Sequence, residues 1–436
     1  MSDTLDWISS PAVALRGEIT VPGDKSISHR ALMLGAIAKG TTHVSGFLES
    51  ADTHATENIL RALGVRIDAP VRGERVVHGM GLHGLRAPDG DLDCGNSGTA
   101  MRLLAGLLVG QSFDSVLTGD FSLSRRPMRR VIEPLIAMGA CVEADDGERP
   151  PLRIRGGQTL HGIDCRTPIA SAQVKSAILL AGLYAQGETL VREPQPTRDY
   201  TERMLAAFGY PIDFGPGRAK LRGEYAFHAT EVIVPADFSS AAFFIVAATL
   251  IPGSELRLTS VGLNPRRTGL LHVLRAMGAD IAEENARDSG GERIADLIVH
   301  HATLRGVEVP AEHVTDMIDE FPILFVAAAC AEGITTIRGA GELRVKESDR
   351  IAVMANGLRA LGIRIDETPD GAVIEGGTLR GGEVDAQGDH RCAMAFAVAG
   401  AAADAPVRIR DCANVATSFP GFREIAEACG FSIAQI

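Results

Sequence analysis

The sequence predicts an α/β protein of two similar domains, each made of three copies of one unit. Three observations carry this. One turn-and-helix pattern recurs six times, the same glycine stop closes each copy, and within each copy a helix apolar on nearly all faces precedes an amphipathic one. The openings read EITVPGDKS from Glu18, LDCGNSGTA from Leu92, GIDCRTPIASAQ from Gly162, EVIVPADFSS from Glu231, VPAEHVTDMIDEFP from Val309 and GEVDAQGDHR from Gly382. The closing helices stop at Gly64, Gly139, Gly209, Gly278, Gly362 and Gly430. A repeat of roughly 70 residues exceeds the 20–50 of solenoid units, and three repeats make a domain of about 200 residues.

Each copy opens on a short strand and a turn. An apolar run follows: ALMLGAIA, AMRLLAGLLVG, SAILLAGLYA, AAFFIVAATL, ILFVAAACA and AMAFAVAGAAA in turn. A helix hydrophobic all round is a buried helix. A second strand, a polar loop and the amphipathic helix come next; ATENILRAL, ending at Leu63, shows the outward-facing pattern. Each domain is therefore expected to hold three buried helices behind sheets and outer helices. Ser26, Ser28, Asn96, Ser97, Ser171, Asp237, Asp319 and Asp389 stand at the buried-helix starts and are all N-capping types.

Composition narrows the function. A chain of 436 residues, 45% hydrophobic, can bury more than one core. A net charge of −12 argues against nonspecific nucleic-acid binding, which rests on neutralising phosphates. The seven cysteines have no CxxC spacing and read as scattered buried thiols of a reducing compartment. MSDTLDWISS has neither the basic nor the apolar region of a leader, and no apolar stretch reaches the roughly 20 residues of a membrane span. The expectation is a cytoplasmic protein without membrane or nucleic-acid partners. With no HExxH, no His/Cys cluster and no GxGxxG after a strand, no metal or organic cofactor is expected.

The chemistry lies in the charges at the helix starts. Lys25 and Arg30 flank the first, Arg102 sits one turn into the second, Gln173 and Lys175 follow the third, and His390 and Arg391 open the sixth. Arg126, Arg198 and the set Lys346, Glu347 and Arg350 lie in the polar loops of copies two, three and five. A helix N-terminus already favours anions, and cations placed there away from acidic partners build a site for a multiply charged one. Arg suits bidentate capture of phosphate or carboxylate, Lys a point charge. Asp319 and Glu347 are carboxylates among these cations, suited to proton transfer; the alternatives are an N-cap for Asp319 and a plain ion pair with Arg350 for Glu347. Glu320 and Asp349 read as structural or solvated.

PGDKSISHRA, GNSGTAMRL, RRPM, SAQVKSA, RVKESDR and DHR, in order over essentially the whole chain, resemble the 5-enolpyruvylshikimate-3-phosphate synthase family. TRDYTE, MIDEFP and RVKESDR are closer to its class II bacterial members than to the enteric type. The resemblance implies two domains of threefold βαβαββ repeats, the inside-out barrel of enolpyruvyl transferases. They would span residues 23–235 and residues 236–436 completed by residues 1–22, with the active site in the cleft between them. It implies a monomer that transfers the enolpyruvyl group of phosphoenolpyruvate to the 5-hydroxyl of shikimate 3-phosphate, with release of phosphate.

Position by position, the resemblance assigns Lys25, Ser26, Arg30, Ser171, Ala172, Gln173, Arg198, Asp319 and Lys346 to shikimate 3-phosphate. It assigns Lys25, Asn96, Gly98, Arg126, Gln173, Lys346, Arg350 and Arg391 to phosphoenolpyruvate, and Lys25, Asp319 and Glu347 to catalysis. Ala172 replaces a second serine of the enteric enzymes, so its backbone N–H must serve. Thr417 replaces a lysine and receives no role. Gly98 leaves room for glyphosate, whereas Leu103, Ala172 and the class II likeness imply reduced sensitivity to it. The rival acceptor is UDP-N-acetylglucosamine, whose transferase carries a cysteine in the loop that here reads GDFSLSRRPMRR and has none.

Overall fold

The computed structural model describes residues 5–289 and 291–436; Met1–Thr4, the head of the segment read for a leader, lie outside them. Two compact lobes result. The N lobe is Gly23–Val234 with Ser289–Glu292; the C lobe is the chain up to Pro22, Pro235–Asp288 and Arg293–Ile436. Each lobe has its own hydrophobic core.

The six apolar runs form the buried helices Lys25–Ile37, Gly98–Leu108, Ala172–Gly182, Phe238–Leu250, Phe321–Ala329 and His390–Ala402. Every residue of the fifth is buried, as is the sixth from His390 to Ala401. All six stop glycines have positive φ, from +78° at Gly209 to +121° at Gly430. A left-handed residue after the last turn ends a helix, and only glycine takes that conformation without steric cost. The repeated glycine is therefore a backbone requirement met six times.

The caps differ in part from those expected. Ser97, Ser171, Asp237 and Asp389 cap their helices through side-chain oxygens. At the first helix the cap is Asp24, which accepts from the N–H of Ile27 at 2.9 Å, not Ser26 or Ser28. The fifth helix starts after Glu320 with Pro322 in its first turn and no side-chain cap, so Asp319 is not its cap. Ser28 instead accepts the N–H of Leu48 at 3.1 Å from inside the helix.

Six small sheets cover the helices, and their make-up corrects the simple repeat. Repeats two and three are self-contained: Leu92–Asp93, Ser115–Thr118, Arg149–Arg155 and Cys141–Asp145 lie in that spatial order, and the third sheet repeats it. Repeats one and four exchange their first strands. Arg16–Ile19 pairs in parallel with Glu255–Leu258 of repeat four. Glu231–Ile233 pairs in parallel with His43–Ser45 of repeat one. Both strands are short and lead into VPxD turns, so nothing local tells the two sheets apart.

Repeat six supplies three strands, and Trp7–Ser10 fills the fourth place, antiparallel to Val407–Ile409 on one side and Ser432–Gln435 on the other. Trp7 anchors this strand by stacking on Phe422 at 5.8 Å. In repeat five the expected first strand is reduced to an isolated bridge between Glu308 and Thr336, because the helix Ala311–Val314 begins where the ladder would continue. Among the described residues no helix is long and apolar enough to cross a membrane.

Candidate active site

In the N lobe the starts of the buried helices are tied together by arginines. Arg30, 4% exposed, donates from Nε to Thr201 Oγ1 at 2.7 Å, from Nη2 to Ser176 Oγ at 2.8 Å and from Nη1 to the carbonyl of Ser26 at 2.9 Å. All three acceptors are neutral. Burial, reinforced by the charge of Arg198, lowers its pKa to about 10. A buried cation disfavoured in this way gains from any anion brought beside it. Tyr200 lies under the guanidinium and donates to Asp24 Oδ2 at 3.0 Å, joining the polar loop of repeat three to the first helix start.

The second and third starts meet through Gln173, which accepts from Arg102 at 2.6 Å and donates to Thr99 at 2.9 Å. Arg126 donates to Asn96 Oδ1 at 2.9 Å, and Asn96 in turn donates to Asp120 at 2.7 Å. Gly98 sits between two guanidinium groups. A Cβ there would lie 3.0 Å from Arg102 Nη1 and 3.2 Å from Arg126 Nη1, so any side chain would crowd both. Ser171 and Ala172 are the cap and first residue of the third buried helix. Lys25 is paired with Asp52 at 2.9 Å.

In the C lobe the cations have carboxylate partners. Asp319 lies 3.2 Å from Arg267 Nη1 through Oδ2, and its Oδ1 lies 3.7 Å from both Lys346 Nζ and Arg350 Nη1. Its backbone carbonyl accepts from Arg391 at 3.2 Å, and Arg391 stands 3.8 Å from Glu320. Arg350 is 2% exposed and contacts Glu347 at 2.6 Å and Asp389 at 2.8 Å. Burial opposes its charge, yet Asp389, Glu347 and Asp319 together raise its pKa well above the ordinary value. Asp389 is wholly buried, which disfavours its charge, but the Arg350 guanidinium outweighs this and holds its pKa below the usual one. The Nη1 of Arg350 is buried without a hydrogen bond, a donor suited to a further anion.

Several expectations need correcting. The cations are not all kept from acids: Lys25, Arg350 and Arg391 have carboxylate neighbours, and Lys175 is enclosed by Glu193 and Glu202, each at 2.8 Å. Buried charges need counter-charges, so Lys175 is a structural ion pair. For Glu320 the structural alternative holds: it is 2% exposed and accepts from Ser239. Asp349 caps the helix Arg350–Ala360, and Thr417 bonds the carbonyl of Asn414. The cysteines are free, as expected, with Cys141, Cys165 and Cys330 only half-buried. Among the described residues no three His, Cys, Asp or Glu side chains are grouped as a metal ion would need.

The residues missed are those that hold others. Thr201 and Ser176 hold Arg30, Asp52 holds Lys25, and Arg267 holds Asp319. Arg267 could have been found: it occupies in repeat four the polar-loop position of Arg126, Arg198 and Lys346 in their repeats.

Residues 10–425 match the family model of EPSP synthase (3-phosphoshikimate 1-carboxyvinyltransferase). A 3-phosphoshikimate 1-carboxyvinyltransferase of Xanthomonas axonopodis pv. citri is 62% identical over 99% of this chain and 98% of its own. That of Xanthomonas oryzae pv. oryzae is 61% identical over the same shares. The solved EPSP synthase of Acinetobacter baumannii superposes with a TM-score of 0.90 at 51% identity, covering 99% of this chain and all of that one. With the family model matched over residues 10–425 and these relatives covered almost end to end, the chain belongs to the EPSP synthase (3-phosphoshikimate 1-carboxyvinyltransferase) family.

Proposed function

We infer that the protein carries out its family's reaction: it transfers the enolpyruvyl group of phosphoenolpyruvate to the 5-hydroxyl of shikimate 3-phosphate and releases phosphate. The observation that carries this reading is Asp319, a carboxylate ringed by Arg267, Lys346 and Arg350. An acid so placed can orient and deprotonate a hydroxyl beside anions that the surrounding cations hold.

In this reading Lys25, Ser26, Arg30, Ser171, the N–H of Ala172, Gln173 and Arg198 hold shikimate 3-phosphate, with Asp319 and Lys346 at its reacting end. The phosphate and carboxylate of phosphoenolpyruvate lie against Lys25, Asn96, Gly98, Arg126, Gln173, Lys346, Arg350 and Arg391. The 5-hydroxyl attacks C2 while C3 is protonated, giving a tetrahedral ketal. Expulsion of phosphate and loss of a proton from C3 then form the enol ether. Asp319 serves the hydroxyl, and Glu347 or Lys25 serves C3. The protein works as a monomer in the cytoplasm. Light scattering of the purified protein tests the monomer.

The deciding experiment mixes purified protein with both substrates and measures phosphate release, with UDP-N-acetylglucosamine as a parallel acceptor. Release with shikimate 3-phosphate alone is expected. Release only with the nucleotide sugar, or with neither acceptor in folded protein, overturns the reading.

A further inference from the structure

Arg267 is a buried, multiply bonded charge of the C lobe to which the family resemblance assigns no role. It follows the turn in which its N–H bonds the carbonyl of Asn264 at 2.8 Å, and it is 4% exposed. Its guanidinium is shared between two sides. Nη1 donates to Asp319 Oδ2 at 3.2 Å; Nη2 donates to Asp237 Oδ1 at 3.2 Å and to the hydroxyl of Ser239. Ser239 in turn donates a hydrogen bond to Glu320, the residue after Asp319, whose Oε1 stands 4.0 Å from Arg267.

The arrangement is directional. Asp237 and Ser239 belong to the start of the fourth buried helix, where Asp237 also caps the N–H of Ser239 at 3.0 Å. Nη2 is thus anchored on a buried, rigid element, and the planar fork sets where Nη1 points. Lys346 and Arg350 approach the other oxygen, Oδ1, at ion-pair rather than hydrogen-bond distance. We propose that Arg267 is a positioning residue that acts through Asp319, clamping Oδ2 so that Oδ1 is presented to the reacting hydroxyl. The inference rests on the reading of Asp319 as the group that serves that hydroxyl.

Lysine at this position keeps the charge but cannot span two sides at once, because an ammonium is a point donor while the guanidinium is a fork. The test is a double-mutant cycle of Arg267→Lys and Asp319→Ala, read as steady-state kcat and KM for both substrates and as binding of shikimate 3-phosphate by calorimetry. Arg267→Lys is expected to lower kcat about 10- to 100-fold, the worth of one charge-assisted hydrogen bond, with KM and binding within about twofold. In the Asp319→Ala background the same change is expected to cost nothing further.

Additive losses, or a loss confined to KM, overturn the inference alone. Wild-type kcat in Asp319→Ala overturns the reading of Asp319 and the inference with it. Ser239→Ala keeps Arg267 and its bond to Asp237 but removes the second anchor, together with the hydroxyl's bond to Glu320, so it serves should Arg267→Lys not fold. A kcat lowered about threefold at unchanged KM is expected there, and an unchanged kcat counts against the proposal.

Discussion

Arg30, within the first buried helix, and Arg350, at the start of the helix Arg350–Ala360, are both buried, and their surroundings act on them in opposite directions. Arg30 in the N lobe is bonded to two hydroxyls and a carbonyl, and its pKa is pushed down to about 10, by burial first and then by Arg198. Arg350 in the C lobe suffers the same burial, but Asp389, Glu347 and Asp319 more than restore its charge. The helix starts follow the same division. Two of the three N-lobe caps are the serines Ser97 and Ser171, while the C-lobe starts carry Asp237, Glu320 and Asp389. Helix dipoles complemented by hydroxyls remain open to an incoming anion; those already facing carboxylates do not. The N-lobe arginine is thus surrounded by neutral acceptors, and the C-lobe arginine by ordered carboxylates.

The contrast can be broken most directly with methionine at each arginine. Arg350→Met strands Asp389 and Glu347 and is expected to destabilise the C lobe by about 3–5 kcal/mol in chemical denaturation. Arg30→Met strands no partnered carboxylate, so its stability should stay within about 1 kcal/mol of wild type while shikimate 3-phosphate binds about 100-fold more weakly. Equal destabilisation of the two variants would remove the basis of the comparison.

A second test uses pH. Asp389 is held below its ordinary pKa of 3.8 in the fold, against the opposing effect of burial, so it binds its proton less readily folded than unfolded. Its stabilisation is complete above the unfolded value and is lost as pH falls through the folded one. Acid titration of the wild type should show this loss below about pH 4, and Asp389→Asn should abolish that part of the slope. Asp389→Asn should also cost about 3 kcal/mol at neutral pH, since Arg350 loses a buried partner. An unchanged acid slope would show that Asp389 is not the group responsible.

Gly98→Ala sharpens the N-lobe side. Its Cβ must displace Arg102 or Arg126 by a few tenths of an ångström, so the KM for phosphoenolpyruvate is expected to rise about tenfold with shikimate 3-phosphate binding unaltered. The smallest effect belongs to the stops. Gly209→Ala, at φ +78° with no atom within 4 Å of the new Cβ, should cost about 1–2 kcal/mol from backbone strain alone. Thermal unfolding measures it.

Much of this was legible in the residues. The six buried helices, their glycine stops and the hydroxyl or carboxylate at each start are local properties, set by side chains within a few turns of one another. So is the contact of Glu347 with Arg350, three residues apart, the plain ion pair that is the alternative for Glu347. Lys175 was misread because its counter-charges, Glu193 and Glu202, lie in another strand and helix region of the same repeat. Arg267 was missed because its importance comes from Asp319, 52 positions away.

The helix pattern, the stops and the charge at the helix starts follow from local sequence, because periodicity, backbone sterics and capping act over short stretches of chain. Tertiary structure alone decided that repeats one and four exchange strands, that Trp7–Ser10 completes the last sheet, and which cations are matched by acids. A strand edge accepts any chain that reaches it, and a buried charge accepts whichever opposite charge packs against it. Those choices depend on contacts as distant as Leu15 with Ser254, which pattern along the chain does not encode.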